Sequence, residues 1–297
     1  GKVDLDAPVS RYLPELKLSD ADTLRSLTIR QTLSHTSGIY GDYFEDTGWG
    51  DDALARSIEQ VADLRQWTPV GSSWAYCNVG FNLVEVVLGQ PYETAMRERV
   101  FEPLGLEHTF FFAHEAIVHP VAVGHTLVEP GKDAHEVARK YPLPRAVNPA
   151  CCLLSNVDAM LPFAPLRMRD GTVDGQYVLS PESIRVMQET QTTAANWADE
   201  WGVGWDIRWF ESDGGRVKVI GHGGTTNGFQ ARLTLVPDRR YAIAMLTNSA
   251  RGAAFNDRVE SWALEHELGL TRPELPKVKI APDALERFAG QYTQPQA

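Results

Sequence analysis

Nowhere in the sequence does an uninterrupted apolar stretch reach the length a bilayer crossing needs, so nothing reads as a transmembrane helix. Basic residues are also scarce: 28 Lys and Arg stand against 39 Asp and Glu, a net charge of -11, with no basic cluster. Nucleic acid and anionic membrane surfaces both reward clustered cations, so neither is expected as a partner. Cysteine is limited to Cys77, Cys151 and Cys152, an odd count with two neighbours. Adjacent cysteines rarely pair because of ring strain, so reduced thiols are expected. There is no Cys-x-x-Cys, and His108, His114, His119, His125 and His135 include no i, i+4 pair of the kind a helical zinc site uses. No metal and no cofactor is expected. The segment Gly1-Lys2-Val3-Asp4-Leu5-Asp6 has neither the basic nor the apolar region of an export signal, and the compartment is left open.

What is present is enough apolar material, 43% of residues, for one large core or two modest ones. The opening around Asp6 to Pro14 reads as an extended loop. Thr28 reads as an N-cap, with Gln31 completing a capping box and Gly38 ending the helix. Helical spacing of Leu54, Ile58, Val61 and Leu64 predicts an amphipathic helix over 51–64. Further helices are predicted over 79–88 and over 93–101, the latter ending before Pro103. Residues 106–150 lack a sustained period and predict loops with a few short strands. Helical signals return after Ser155 and at Ser180-Pro181, both helices packing on a sheet. That sheet is predicted from β-rich segments at 202–210, 217–221, 229–236 and 241–247, mutually antiparallel, with Pro237 to Arg240 as a hairpin turn. A last helix is predicted over 256–268, then a proline-containing linker over 271–278.

Three short blocks carry polar chemistry, and each also has an ordinary structural explanation. Tyr76-Cys77-Asn78 places a phenol and an amide at a chain corner, where a lone tyrosine is usually just half-buried. His222-Gly223-Gly224-Thr225 ends a β segment; its glycines would let a ligand approach the backbone, or simply mark a hairpin. Ser34-His35-Thr36-Ser37-Gly38 juxtaposes hydroxyls and an imidazole. A nucleophile and its base meet across space rather than as sequence neighbours, so this block reads as a helix terminus.

Taken in order, these blocks resemble one family. Leu27 to Gly38, Tyr76-Cys-Asn78, Phe101-Glu-Pro-Leu-Gly-Leu106 with Thr109, Gly221-His-Gly-Gly224 and Leu235-Val-Pro-Asp238 are similar to the serine β-lactamase-related hydrolases, over residues 1 to about 270. The resemblance implies an α+β, three-layer α/β/α fold with a largely antiparallel sheet and a helical subdomain. It implies an acyl-enzyme on an amide, ester or lactam, formed by a serine and a lysine one helical turn apart. Tyr76 would be the general base or its proton relay, its pKa lowered by neighbouring positive charge; Asn78 would hold the substrate amide and the lysine. His222 would replace a commoner lysine and orient the phenol, Gly223 and Gly224 would line the pocket, and the Thr225 N–H would serve the oxyanion hole. Tyr-Cys-Asn with His-Gly-Gly leans toward the D-aminopeptidase and esterase branches. Cys151-Cys152 stands where relatives often carry a glycine pair near the pocket.

The family's Ser-x-x-Lys is absent, since three residues before each lysine from Lys17 onward stand Pro14, Glu129, Val137, Gly215, Glu274 and Pro276. The expectation is therefore a hydrolase domain over 1–270 lacking its first strands and nucleophile helix. Residues 271–297 would be a linker and the start of a C-terminal appendage, with Leu285 to Tyr292 resembling its opening. Alone, such a chain is expected to be inactive and aggregation-prone. The alternatives are a non-catalytic binding protein that keeps the pocket, and a metal hydrolase using His108 to His135. A small molecule or peptide is the expected substrate; the sequence leaves the oligomeric state open.

Overall fold

The computed structural model describes residues 3–86, 89–129, 131–139, 143–168, 171–173, 175–194, 197–274 and 279–290. The capping box at Thr28 forms as read: its hydroxyl accepts the Gln31 N–H at 3.2 Å and Gln31 Oε1 accepts the Thr28 N–H at 2.9 Å. Helix α1, Ile29–Leu33, nonetheless stops short of Gly38, because His35 takes a left-handed φ of 59° and turns the chain away. Helix α2, Ala53–Gln60, and a following 3₁₀ turn, Val61–Asp63, fall within the predicted stretch. Helix α3, Asn78–Val86, matches its predicted start; the expected end at Leu88 lies outside the described residues.

The helical stretch from Tyr92 does not end before Pro103. It widens into a π turn, Arg97–Phe101, and resumes as Glu102–Leu104 before Gly105 stops it at φ 64°. Pro103 stands at the start of the resumed helix, immediately after the wide π turn. Between 106 and 150 the expected loops carry a short hairpin, His125–Leu127 with His135–Val137. Helix α4, Pro181–Gln188, starts at the Ser180 cap, whose hydroxyl accepts the Ser183 N–H at 3.1 Å. Helix α5, Gly252–Leu268, begins four residues ahead of the prediction. A β-carbon at Gly252 would collide with the Thr247 side chain, so glycine lets the helix start directly against the preceding strand.

Among the described residues the sheet has six strands: β1 Thr192–Thr193, β2 Glu200–Trp201, β3 Asp206–Ser212, β4 Gly215–Thr226, β5 Phe229–Val236 and β6 Tyr241–Thr247. Their order is β6-β5-β4-β3-β2-β1, with every neighbouring pair antiparallel. β5 and β6 coincide with their predicted segments. β4 is longer than predicted, so His222-Gly223-Gly224-Thr225 lies inside a strand rather than in a turn. Alternation sends Ile207, Ile220, Leu233 and Leu235 into one core, against Ala164 and Trp205. Phe210, Val217, Val219 and Val236 enter the opposite core with Leu264 of α5 and Leu270. Val9, Leu27, Ile29, Val61, Cys77 and Leu83 form a third core in the helical part. Each fully buried aliphatic side chain contributes about 1.5–3 kcal/mol. The architecture is α+β, an antiparallel sheet with helices, and among the described residues no helix is long and apolar enough to cross a membrane.

Candidate active site

The corner that carries Tyr76 is fixed by an imidazole below it. His35 is fully buried, its carbonyl accepts the Ala75 N–H at 2.8 Å and its Nδ1 accepts the Cys77 N–H at 2.9 Å. Burial, reinforced by His222, pulls the His35 pKa down to about 3, so the ring is neutral and its proton sits on Nε2. That N–H has no polar partner among the described residues; the ring meets Trp201 edge-on at 5.1 Å and lies 4.2 Å from the Tyr76 ring. Tyr76 in turn stacks on the exposed Trp197 at 5.0 Å. The Gly41 carbonyl accepts the N–H groups of Asn78 and Val79, and Asn78 Nδ2 donates to Asp42 Oδ1 at 2.8 Å.

The sheet supplies the facing wall. Tyr76 Oη and His222 Nε2, 146 residues apart in the chain, approach to 3.3 Å. His222 Nδ1 lies 2.6 Å from the Gly223 carbonyl, which can only accept, so Nδ1 carries the proton. Burial, helped by Arg232, lowers the His222 pKa against the opposing pull of Asp206 and that carbonyl. A neutral ring protonated on Nδ1 leaves Nε2 as acceptor, and the phenol donates to it. The expected acidification of Tyr76 is therefore corrected: burial first, then the charges of Asp42, Cys151 and Cys77, push its pKa up to about 12.

Strand pairing leaves one edge open beside that contact. β3 pairs with β4 only as far as Gly221, whereas β5 continues to Thr226. From His222 to Thr226 the backbone of β4 thus has, among the described residues, a partner strand on one side only. Gly223, Gly224 and Thr225 are exposed there, and Thr225 Oγ1 donates to Gln230 Oε1 at 2.7 Å. Gly221 is obligatory, since a β-carbon would sit 2.6 Å from both the Arg232 guanidinium and the Leu233 carbonyl.

Behind this edge lies a ring of charge that sequence reading did not find. Asp206 accepts from Arg232 at 2.6 and 2.9 Å and from Arg208 at 3.1 Å; Glu260 accepts from Arg208 twice at 2.7 Å and from Arg232 at 3.1 Å, and Thr234 also donates to it. Burial alone would raise both carboxyls. The two guanidinium groups prevail, holding Asp206 low and Glu260 at about 2. These walls enclose an open cleft of about 1650 Å³, lined by Tyr76, Asn78, His222 to Thr225 and the charged ring. Asn256 of α5 also lines it, with both side-chain amide atoms buried and without partners among the described residues. All six residues singled out from the sequence, Tyr76, Asn78, His222, Gly223, Gly224 and Thr225, thus face one cleft. Ser34 and Ser37 are buried outside it.

The Beta-lactamase family model matches residues 1–267. Penicillin-binding protein 4 of Amycolatopsis lactamdurans is 35% identical over 98% of this chain and 78% of that protein. The crystal structure of SurE superposes with a TM-score of 0.74 at 26% identity, covering 95% of this chain but only 63% of that one, so the chain spans less than two thirds of that relative. A D-stereospecific amidohydrolase from Streptomyces sp. superposes with a TM-score of 0.65 at 23% identity, over 84% of this chain and 75% of that one. With a match across nearly its whole length and a cleft built from a Tyr-x-Asn corner and a His-Gly-Gly strand, the chain belongs to the Beta-lactamase family of serine hydrolases.

Proposed function

We propose that the cleft is the substrate-holding and proton-relaying part of an acyl-enzyme hydrolase acting on amides, esters or β-lactams. The observation that carries this is the Tyr76–His222 contact at the head of a strand edge left open from His222 to Thr226. An extended amide can hydrogen-bond along such an edge as an added strand would. Asn78 positions the amide, Gly223 and Gly224 admit it to the backbone, and the Thr225 N–H serves the oxyanion. His-Gly-Gly supports a leaning toward D-configured amides and esters.

The charge of the cleft decides the role of Tyr76. A phenol near 12 is ionised at about one part in 10⁵ at neutral pH. One cation brought to about 4 Å contributes about 4 kcal/mol at an effective dielectric near 20, or roughly three pH units. That leaves the phenol near 9, still mostly protonated, which favours a relay over a standing phenolate base. Arg208 and Arg232 cannot supply even this, since both are bound to carboxylates. The proposal therefore includes a serine and a lysine contributed from outside these 297 residues. The cleft has room for them: small-molecule sites usually measure about 300–1,000 Å³, against about 1650 Å³ here. Residues 1–270 would form this hydrolase domain, and those after 271 a linker opening an appendage.

The same two facts, a neutral phenol and no Ser-x-x-Lys, favour the second reading, a ligand-binding protein without chemistry. Fluorescent penicillin, p-nitrophenyl esters and D-amino-acid anilides, offered to a longer form that carries the upstream sequence, separate the two. The hydrolase reading predicts serine-dependent labelling and turnover, with Tyr76→Phe lowering kcat by about 10²–10⁴ and KM little changed. The 297-residue chain alone should give no turnover. A folded longer form that binds these compounds without acylation would establish the binding reading.

A further inference from the structure

Cys151 and Cys152 play no part in the proposed hydrolysis, yet both line the cleft and both are half-buried rather than enclosed. Their sulfurs lie 3.2 Å apart. The segment is held at both ends. The Val147 carbonyl accepts the N–H groups of Ala150 and Cys151, each at 3.0 Å, and the Cys151 thiol at 3.4 Å. On the far side Phe110 and Leu154 exchange two backbone bonds of 2.8 and 2.9 Å. Between these anchors Cys152 takes a left-handed φ of 73°, a conformation that non-glycine residues hold only when the surroundings impose it. The fold thus places two thiols in contact at the wall of an open cleft. Cys77, by contrast, is fully buried, and burial pushes its thiol up.

We propose that Cys151–Cys152 is an oxidant-sensitive dithiol that a peroxide converts to a vicinal disulfide at the wall of the cleft. The Cys151 thiolate attacks one peroxide oxygen; the O–O bond breaks, the sulfur becomes a sulfenic acid and the second oxygen leaves as water with the thiol's proton. The Cys152 sulfur then attacks Cys151; the S–O bond breaks, water leaves with the second proton and the S–S bond forms. Two thiols lose two electrons, the peroxide gains them, and two waters result. The hydrogen bond from Cys152 lowers the Cys151 pKa and raises that of Cys152, which fits Cys151 as the attacking sulfur.

Adjacent α-carbons lie about 3.8 Å apart, below the roughly 4.4–6.8 Å that unstrained disulfides span. The bond is therefore easily reduced, as a reversible modification requires and a structural bridge does not. It also reaches the proposed site: charge on Cys151 is one of the influences that raise the Tyr76 pKa, and oxidation removes it.

The test is to add hydrogen peroxide to the folded chain and, in parallel, to the same chain unfolded in guanidinium, following the thiols by mass spectrometry. The 151–152 peptide should lose two hydrogens at least about tenfold faster in the folded protein, dithiothreitol should restore it, and Cys77 should stay reduced. Cys152→Ser should stop at a sulfenic acid on Cys151 that dimedone captures. The Tyr76 phenol should titrate lower after oxidation than before. Equal rates in folded and unfolded chains, oxygen addition without disulfide, or Cys152→Ser giving no dimedone adduct would each overturn the proposal.

Discussion

The two walls of the cleft handle charge in opposite ways. On the sheet wall, four ionised groups are taken out of water together and neutralise one another: Asp206 and Glu260 against Arg208 and Arg232. On the helical wall, titratable groups are buried uncharged. His35 is pulled to about 3 and Tyr76 pushed to about 12, and the first charge acting on the phenol is the Asp42 carboxylate. The difference explains why two arginines that line the same cleft do not acidify Tyr76. A cation already held by two carboxylates offers little net field to a third group.

The largest way to break this comparison is to unbalance the sheet wall. Glu260→Ala leaves Arg208 and Arg232 sharing one carboxylate, and removing one partner of a buried pair costs about 3–5 kcal/mol. Chemical denaturation should show it, and a loss below about 1 kcal/mol would mean the ring is effectively solvated.

The helical wall is tested by acid. An unfolded histidine titrates at its ordinary value, whereas folded His35 does so at about 3. Between these values the unfolded chain binds the extra proton, so stability falls as pH falls through this window. The loss reaches about 2 kcal/mol by about pH 5, and the lowered pKa of His222 adds in the same direction. The carboxylates of the ring have depressed values and lose their contribution only at still lower pH. In His35→Asn, whose amide oxygen can still accept from Cys77, the stability slope between about pH 6.5 and 5 should flatten. An unchanged slope would place the acid sensitivity elsewhere.

Smaller effects sharpen the same contrast. Thr28→Ala removes the cap of the helix leading into His35 and should cost about 1 kcal/mol by thermal or chemical unfolding. Gly224→Ala should change stability by less than about 0.5 kcal/mol, because the new carbon meets only the Ala231 methyl at an ordinary 3.7 Å. It should still weaken ligand binding, measured by titration calorimetry, by crowding the open edge. Unaltered binding would move the ligand off that edge.

Much of the scaffold was legible because its signals are local. Thr28 with Gln31 is a complete capping box, Ser180-Pro181 a helix start, and 229–236 and 241–247 alternate around a tight turn. Where the reading missed, a tertiary contact decided: the left-handed His35 beneath Tyr76, and the approach of Gly252 to Thr247. The six candidate residues came from ordered blocks resembling a family, since no local pattern says that Tyr76 will meet His222. The charged ring was hidden differently. Asp206 with Arg208, and Arg232 with Thr234, are i, i+2 pairs that share a sheet face, but only the register of β3, β4 and β5 brings them to Glu260. Taken singly, each looks like a surface charge.

The central claim is that Tyr76 stands as a protonated phenol because burial, and then the Asp42 carboxylate, hold its pKa up while Arg208 and Arg232 are bound to carboxylates. Its direct test is an ultraviolet titration of the phenolate in the folded protein, with Tyr76→Phe subtracted to isolate this one ring. The account predicts ionisation at about 12; ionisation near neutrality, at about pH 7–8, where a general base operates, would contradict it.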